Sequence, residues 1–127
     1  MSVERVDRLG EDVYSLFQRG QDLISDSHWA QAVVPLEKAR RIEPDKTSIR
    51  EALGRAYFRS GRYREAAAEF EAIVELSPIN DYAHFCLGRS LQKLGRQSAA
   101  GRHFSLACGL RPERSDYRLY RERARAA

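Results

Sequence analysis

Apolar residues recur along this chain at helical spacing, and the runs they form are cut at regular intervals. Leu53, Ala56, Tyr57 and Ser60 share one face of a predicted helix, and Ala66, Ala67, Phe70, Ile73 and Val74 share one face of the next. No run alternates with period two between strand signals. Three stretches, "LEKARRIEP", "FEAIVELSP" and "FSLACGLRP", each end at a proline, and Pro44, Pro78 and Pro112 are 34 residues apart. Proline cannot continue a helix and pushes the residue before it out of the helical region, so each marks a stop. A second break falls near the middle of each period, at Ser27, Gly61 and Gly95. Each period is therefore predicted to hold two helices of about 14 residues, each about 21 Å long.

The 34-residue period is also a repeat of residue identity. Leu53, Gly54, Arg55, Gly61, Arg62, Ala66 and Phe70 meet Leu87, Gly88, Arg89, Gly95, Arg96, Ala100 and Phe104. A weaker echo upstream aligns Arg19, Gly20, Ala32 and Leu36. A helix–turn–helix unit of this length resembles the tetratricopeptide repeat. The motif positions are Leu16, Gly20, Leu23, Ala32, Leu36, Ala39 and Pro44 in the first copy, and Leu53, Gly54, Tyr57, Ala66, Phe70 and Pro78 in the second. The third has Leu87, Gly88, Leu91, Ala100, Phe104, Ala107 and Pro112. The resemblance implies an all-α fold, a right-handed superhelix of three antiparallel helix pairs with a C-terminal capping helix. The expected division is an N-terminal segment (1–11), repeats at 12–45, 46–79 and 80–113, and a capping helix or basic tail (114–127). Small residues on facing helices let the pairs approach, and large apolar residues a turn away fill the seam.

Local departures carry their own expectations. Arg19 stands where the other copies have Leu53 and Leu87, which suits the polar outer face of a terminal repeat. Pro35 lies inside a predicted helix and is expected to remove one hydrogen bond and bend it. In the tail, "ERSDYRLYRERARAA" places Tyr117, Tyr120 and Ala124 on one helical face, as a cap or, alternatively, as a basic arm for nucleic acid.

The resemblance further implies that the first helix of each pair lines an inner wall where peptides bind. In register, that wall is Tyr14, Phe17, Gln21 and Ile24, then Ser48, Glu51, Arg55, Phe58 and Arg59, then Tyr82, Phe85, Arg89, Gln92 and Lys93. Five aromatics lie among four cations, which marks an interaction surface rather than a solvated face. Relatives that grip the terminal carboxylate of heat-shock chaperones use Lys, Asn and Arg at five positions. Here those positions hold Phe17, Gln21, Ala52, Tyr82 and Cys86, so that grip is absent.

Composition narrows the function classes. The chain has 127 residues, 31% charged and 43% hydrophobic, with a net charge of +4. That describes a soluble globular chain with no run long enough to span a membrane and no secretory h-region, hence an expected cytoplasmic location. Arginine outnumbers lysine 19 to 3, which suits a GC-rich bacterial source. Residues 1–45 carry net −3 and residues 80–127 carry +6. The gradient points to an anionic partner for the C-terminal half, or to head-to-tail contact between copies. Cys86 and Cys108 are expected to be small buried thiols. His28, His84 and His103 are scattered without metal-ligand spacing, and His84 beside Cys86 lacks a third catalytic partner. No metal or other cofactor is expected, and no phosphate loop, nucleophile elbow or carboxylate pair suggests an enzyme.

The leading expectation is a non-catalytic adaptor or scaffold that binds another protein or peptide bearing apolar and acidic residues. Self-assembly through the acidic and basic ends is the alternative. Single-stranded nucleic acid, held by Arg55, Arg59, Arg89, Arg96 and the tail, is the less favoured one.

Overall fold

The computed structural model describes Val6 and residues 10–126. The rest of the expected N-terminal segment and residue 127 of the expected tail lie outside the described residues. Seven helices are found among the described residues: α1 (Val13–Ser25), α2 (Trp29–Ile42), α3 (Thr47–Arg59), α4 (Tyr63–Leu76), α5 (Asp81–Lys93), α6 (Gln97–Leu110) and α7 (Ser115–Ala126). The expected all-α architecture is what forms, and α2, α4 and α6 each end within two residues of a proline. None of these helices is long and apolar enough to cross a membrane. The chain divides into two compact units, residues 1–62 and 63–127.

In the first unit α1 packs on α2 and α2 on α3. Leu16, Ala39 and Ile49 form a buried cluster, with Val13, Phe17 and Ile42 against it. Burying a side chain such as Leu36, which is fully enclosed, is worth about 1.5–3 kcal/mol. α2 runs unbroken through Pro35, whose ring is buried. Its missing N–H thus costs a hydrogen bond without ending the helix. Arg19 points outward and pairs with Glu11, which also meets Lys38 at 3.3 Å.

In the second unit α4 packs on α5, α5 on α6 and α6 on α7. The α5–α6 crossing needs its glycine: a Cβ on Gly88 would lie 2.6 Å from Cε1 of Phe104. Phe104 and Tyr117 are both fully buried. α7 docks through Tyr117 and Ala124. The residues 34 positions beyond Leu87, Gly88 and Leu91 are Arg121, Glu122 and Arg125. A helix laid on that side of α7 would meet charged side chains where α6 meets a small one on α5.

The turns repeat in atomic detail. After α3, the Arg62 N–H reaches the Tyr57 carbonyl at 2.8 Å and the Gly61 N–H the Phe58 carbonyl at 3.0 Å. Arg96 and Gly95 do the same after α5 with Leu91 (2.9 Å) and Gln92 (3.0 Å). This is the Schellman closure, which needs a left-handed residue, and Gly61 and Gly95 have φ near +80°. The corresponding turn after α1 has the same two bonds but holds Ser27 at φ 61°. A second repeated bond joins a first-helix side chain to the proline carbonyl before it. Arg50 Nε donates to Pro44 O at 2.6 Å, His84 Nε2 meets Pro78 O at 2.8 Å, and Arg118 donates to Pro112 O.

Candidate functional site

The site is built on the first-helix faces within each unit. In the first unit, α1 presents Tyr14, 73% exposed, with Phe17 half-buried against the core and Gln21 beside it. Ile24 is only 8% exposed and belongs to the core rather than to a surface. Along α3, Ser48 is exposed, and Glu51, Arg55 and Phe58 are half-buried. Arg59 is exposed and its guanidinium lies over Trp29, 4.7 Å from the ring centroid. A cation over an indole face is attracted by the ring quadrupole, so Arg59 is held toward the start of α2.

In the second unit, Tyr82, Phe85, Arg89 and Gln92 are half-buried and Lys93 is exposed. Phe85 is a packing residue as much as a surface one. Its ring lies 5.8 Å from Phe104, 4.8 Å from Tyr117 and 5.2 Å, edge-on, from Tyr120. Arg89 sits 4.5 Å over Tyr120, and Arg123 approaches the same ring at 5.5 Å. Lys93 Nζ lies 5.9 Å from Tyr63. The α5 face is thus continued by Leu119, Tyr120 and Arg123 of α7, none of which was among the expected wall residues. The signal was available: Leu119 and Arg123 follow Phe85 and Arg89 by 34 positions. Reading the tail as a cap or a basic arm, rather than as a fourth first helix, hid it.

The α7 helix is anchored by polar contacts. Tyr117 OH donates to Asp81 at 2.6 Å, and burial, with that carboxylate, holds the phenol protonated far above its usual range. Arg114 lies over Tyr117 at 4.4 Å and grips Asp116 with two bonds, at 2.9 and 2.7 Å. That grip holds the Asp116 carboxyl below the ordinary carboxylate range.

A pair unforeseen from sequence lies between α5 and α6. Nδ1 of buried His84 is 3.1 Å from Nδ1 of His103, with the rings stacked at 5.4 Å. Because a carbonyl can only accept, His84 carries its proton on Nε2 toward Pro78 O. Of the two facing Nδ1 atoms, one donates and the other accepts. Burial first, then the neighbouring His84 and Arg102, lower the His103 pKa from 6.5. The pair is an interhelical contact, and among the described residues no carboxylate or thiol is bonded to either ring. Cys108 is buried as expected. Cys86 is only half-buried, because it lies beside the surface face of α5, and neither cysteine is in a disulfide. Among the described residues no three His, Cys, Asp or Glu side chains gather to hold a metal ion.

Comparison with known proteins places this geometry. The tetratricopeptide repeat profile matches residues 17–78 and 51–115. Superkiller complex protein 3 of Mus musculus is 32% identical over 97 residues, which is 76% of this chain but 6% of that protein. Tetratricopeptide repeat protein 16 of Homo sapiens is 28% identical over 104 residues, 12% of its length. The chain therefore spans only a small part of these curated relatives. Among solved structures, the first such domain of Spaghetti (RPAP3), bound to an HSP90 peptide, superposes with a TM-score of 0.85 at 16% identity, covering 96% of this chain and 95% of that one. MamA of Desulfovibrio magneticus RS-1 superposes with a TM-score of 0.87 at 21% identity, covering 91% and 65%. With its 34-residue register, its glycine-seated helix pairs and this match over most of its length, the chain belongs to the tetratricopeptide repeat family.

Proposed function

We propose that the chain is a non-catalytic interaction module that holds a partner polypeptide against its first-helix faces. One observation carries this reading. Phe17, Phe58 and Tyr82 stay half-exposed on α1, α3 and α5, with Gln21 one turn from Phe17 and Arg55 one turn from Phe58. Half-exposed rings beside polar or charged side chains make a surface suited to a polypeptide. The peptide seen on the Spaghetti domain supports a polypeptide as the class of ligand. The side chains at the five carboxylate-gripping positions differ here, so a different sequence is selected.

Magnitudes favour an extended contact. Two apolar anchors at about 1.5–3 kcal/mol each and one charge-assisted bond at about 1.5–3 kcal/mol must also offset the cost of ordering. Micromolar affinity needs about 8 kcal/mol net, so a short peptide binds weakly and a longer segment or folded partner binds well.

The test is an affinity pull-down from native extract, comparing the wild type with a Phe58→Ala, Arg89→Glu double variant shown by circular dichroism to be folded. A client retained by the wild type and lost by the variant is the expected result. Equal recovery by both removes the assignment to these faces.

A further inference from the structure

The second helices of the second unit carry exposed charge of opposite sign on one face. On α4, Ala68, Glu71 and Glu75 follow one another three or four positions apart, and all are exposed. One period later, α6 has Arg102, Ser105 and Gly109 at those positions, also exposed, with Leu106 one turn from Arg102 and 49% exposed. Because α4 and α6 are copies of one repeat element, the shared register puts both rows on the same side of their helices. Arg125 of α7, 3.4 Å from Glu122, lines the same recess as Arg102 and Leu106. Among the described residues no hydrogen bond or ion pair engages the side chains of Glu71, Glu75 or Arg102. By contrast, Asp81, Glu113, Asp116 and Glu122 of the same unit are each bonded to a tyrosine or an arginine.

We propose that this second-helix face of the second unit binds the same face of a second copy of the chain about a two-fold axis. α4 of each copy lies antiparallel on α6 of the other, so the Glu71–Arg102 contact forms twice. A two-fold contact must be self-complementary, which requires a face that carries both signs, and this one does. One register satisfies several positions at once. Setting Glu71 against Arg102 brings the small Ala68 to Leu106, and Arg64 to Gly109 in the last turn of α6, where the helix dipole favours a cation. A uniformly acidic polypeptide or a nucleic acid strand fits less well, because Glu71 and Glu75 repel it, and Arg102 repels a basic one. Each exposed ion pair contributes little alone, so the expected dissociation constant is about 10–100 µM. The contact uses helices other than those that carry the interaction reading above.

The test is sedimentation equilibrium of the full chain from about 1 µM to about 1 mM. The mean mass is expected to rise from that of one chain toward that of two. The transition should move about threefold or more to higher concentration as salt shortens the Debye length from about 30 Å to about 8 Å. Arg102→Glu removes the positive charge of α6, and Glu71→Arg with Glu75→Arg removes the negative charge of α4. Each variant alone, with helicity checked by circular dichroism, should dimerise about tenfold or more weakly than the wild type. An equimolar mixture of the two should form a one-to-one dimer at least as tightly as the wild type, because each face then meets its opposite. One chain carrying all three reversals should self-associate within about tenfold of the wild type.

The mass of one chain throughout, a dimer indifferent to both sets of reversals, or a mixture no tighter than its components overturns the proposal. A mass that keeps growing past two copies replaces the two-fold contact with head-to-tail growth. A dimer lost in the Phe58→Ala, Arg89→Glu variant but kept in Arg102→Glu moves the contact to the first-helix faces and removes it from this one. The two readings fail separately. A pull-down client held equally by the wild type and the Phe58→Ala, Arg89→Glu variant removes the interaction reading whether or not the chain dimerises. A chain that stays monomeric removes the two-fold contact and leaves client capture untouched.

Discussion

The first and second units solve the same packing problem with one difference in detail and one in charge. Both close a helix pair on a glycine: a Cβ on Gly20 would meet Leu36 at 2.5 Å, and one on Gly88 would meet Phe104 at 2.6 Å. Both end their first helices in Schellman turns, but after α1 the left-handed residue is Ser27 rather than glycine. Residues 1–45 of the first unit carry six Lys and Arg against nine Asp and Glu, whereas residues 80–127 of the second carry ten against four, and both units lay guanidinium groups over rings, Arg59 over Trp29 and Arg89 and Arg123 over Tyr120. The backbone geometry of a repeat thus tolerates substitution at a known small cost, while surface charge is free to diverge between copies. Scaffold positions are held by packing and exposed faces are not, so function is to be sought on the faces.

The largest expected effect falls on the element that distinguishes the second unit. Tyr117 is fully enclosed and occupies in α7 the register position that Ile49 occupies in α3. Tyr117→Ala should lower stability by about 3–5 kcal/mol in urea unfolding, because a large ring leaves a cavity and α7 loses its anchor. Tyr117→Phe keeps the ring but strips the bond to Asp81, and should cost about 1–2 kcal/mol. Were the alanine variant as stable as the phenylalanine one, α7 would not be a packed part of the second unit.

A smaller effect tests the shared turn. Ser27 pays for a left-handed conformation that glycine adopts freely, at a cost of about 1–2 kcal/mol, less the extra freedom glycine brings to the unfolded chain. Ser27→Gly should therefore stabilise by about 0.5–1 kcal/mol, and Gly95→Ala should destabilise by about 1 kcal/mol. Opposite signs in thermal melts are expected. The same sign for both would mean that the turns are not equivalent.

The smallest effect is proton-linked and belongs to the second unit alone. The folded His103 pKa lies below its ordinary 6.5, so the unfolded chain takes up this proton more readily than the folded one. The contribution is complete above about pH 6.5 and is lost as pH falls from there through the folded pKa. Stability measured from pH 8 down to pH 5 should fall, and His103→Gln should flatten that part of the profile. A wild-type profile with no slope below pH 6.5 would show that the His84–His103 contact does not resist protonation.

Much of the fold was legible before any coordinates. Helical spacing, three prolines at one interval and glycines in matching register define helix lengths, helix ends and the close-packed seams, because each follows from the geometry of a single helix or turn. The candidate faces were legible as rows along each first helix, for the same reason. What the rows could not say is which member turns inward. Ile24 and Phe85 lie in register with surface residues, yet one joins the core and the other is covered by Tyr120. Nor could spacing along one helix bring His84 to His103, or Arg89 and Arg123 to one ring. The sequence by itself determined the period, the helices, their stops and the small residues that let them meet. The rotation of each helix against its neighbours was decided only by tertiary packing, since volume and shape across a seam, not periodicity within one helix, select which side chains touch.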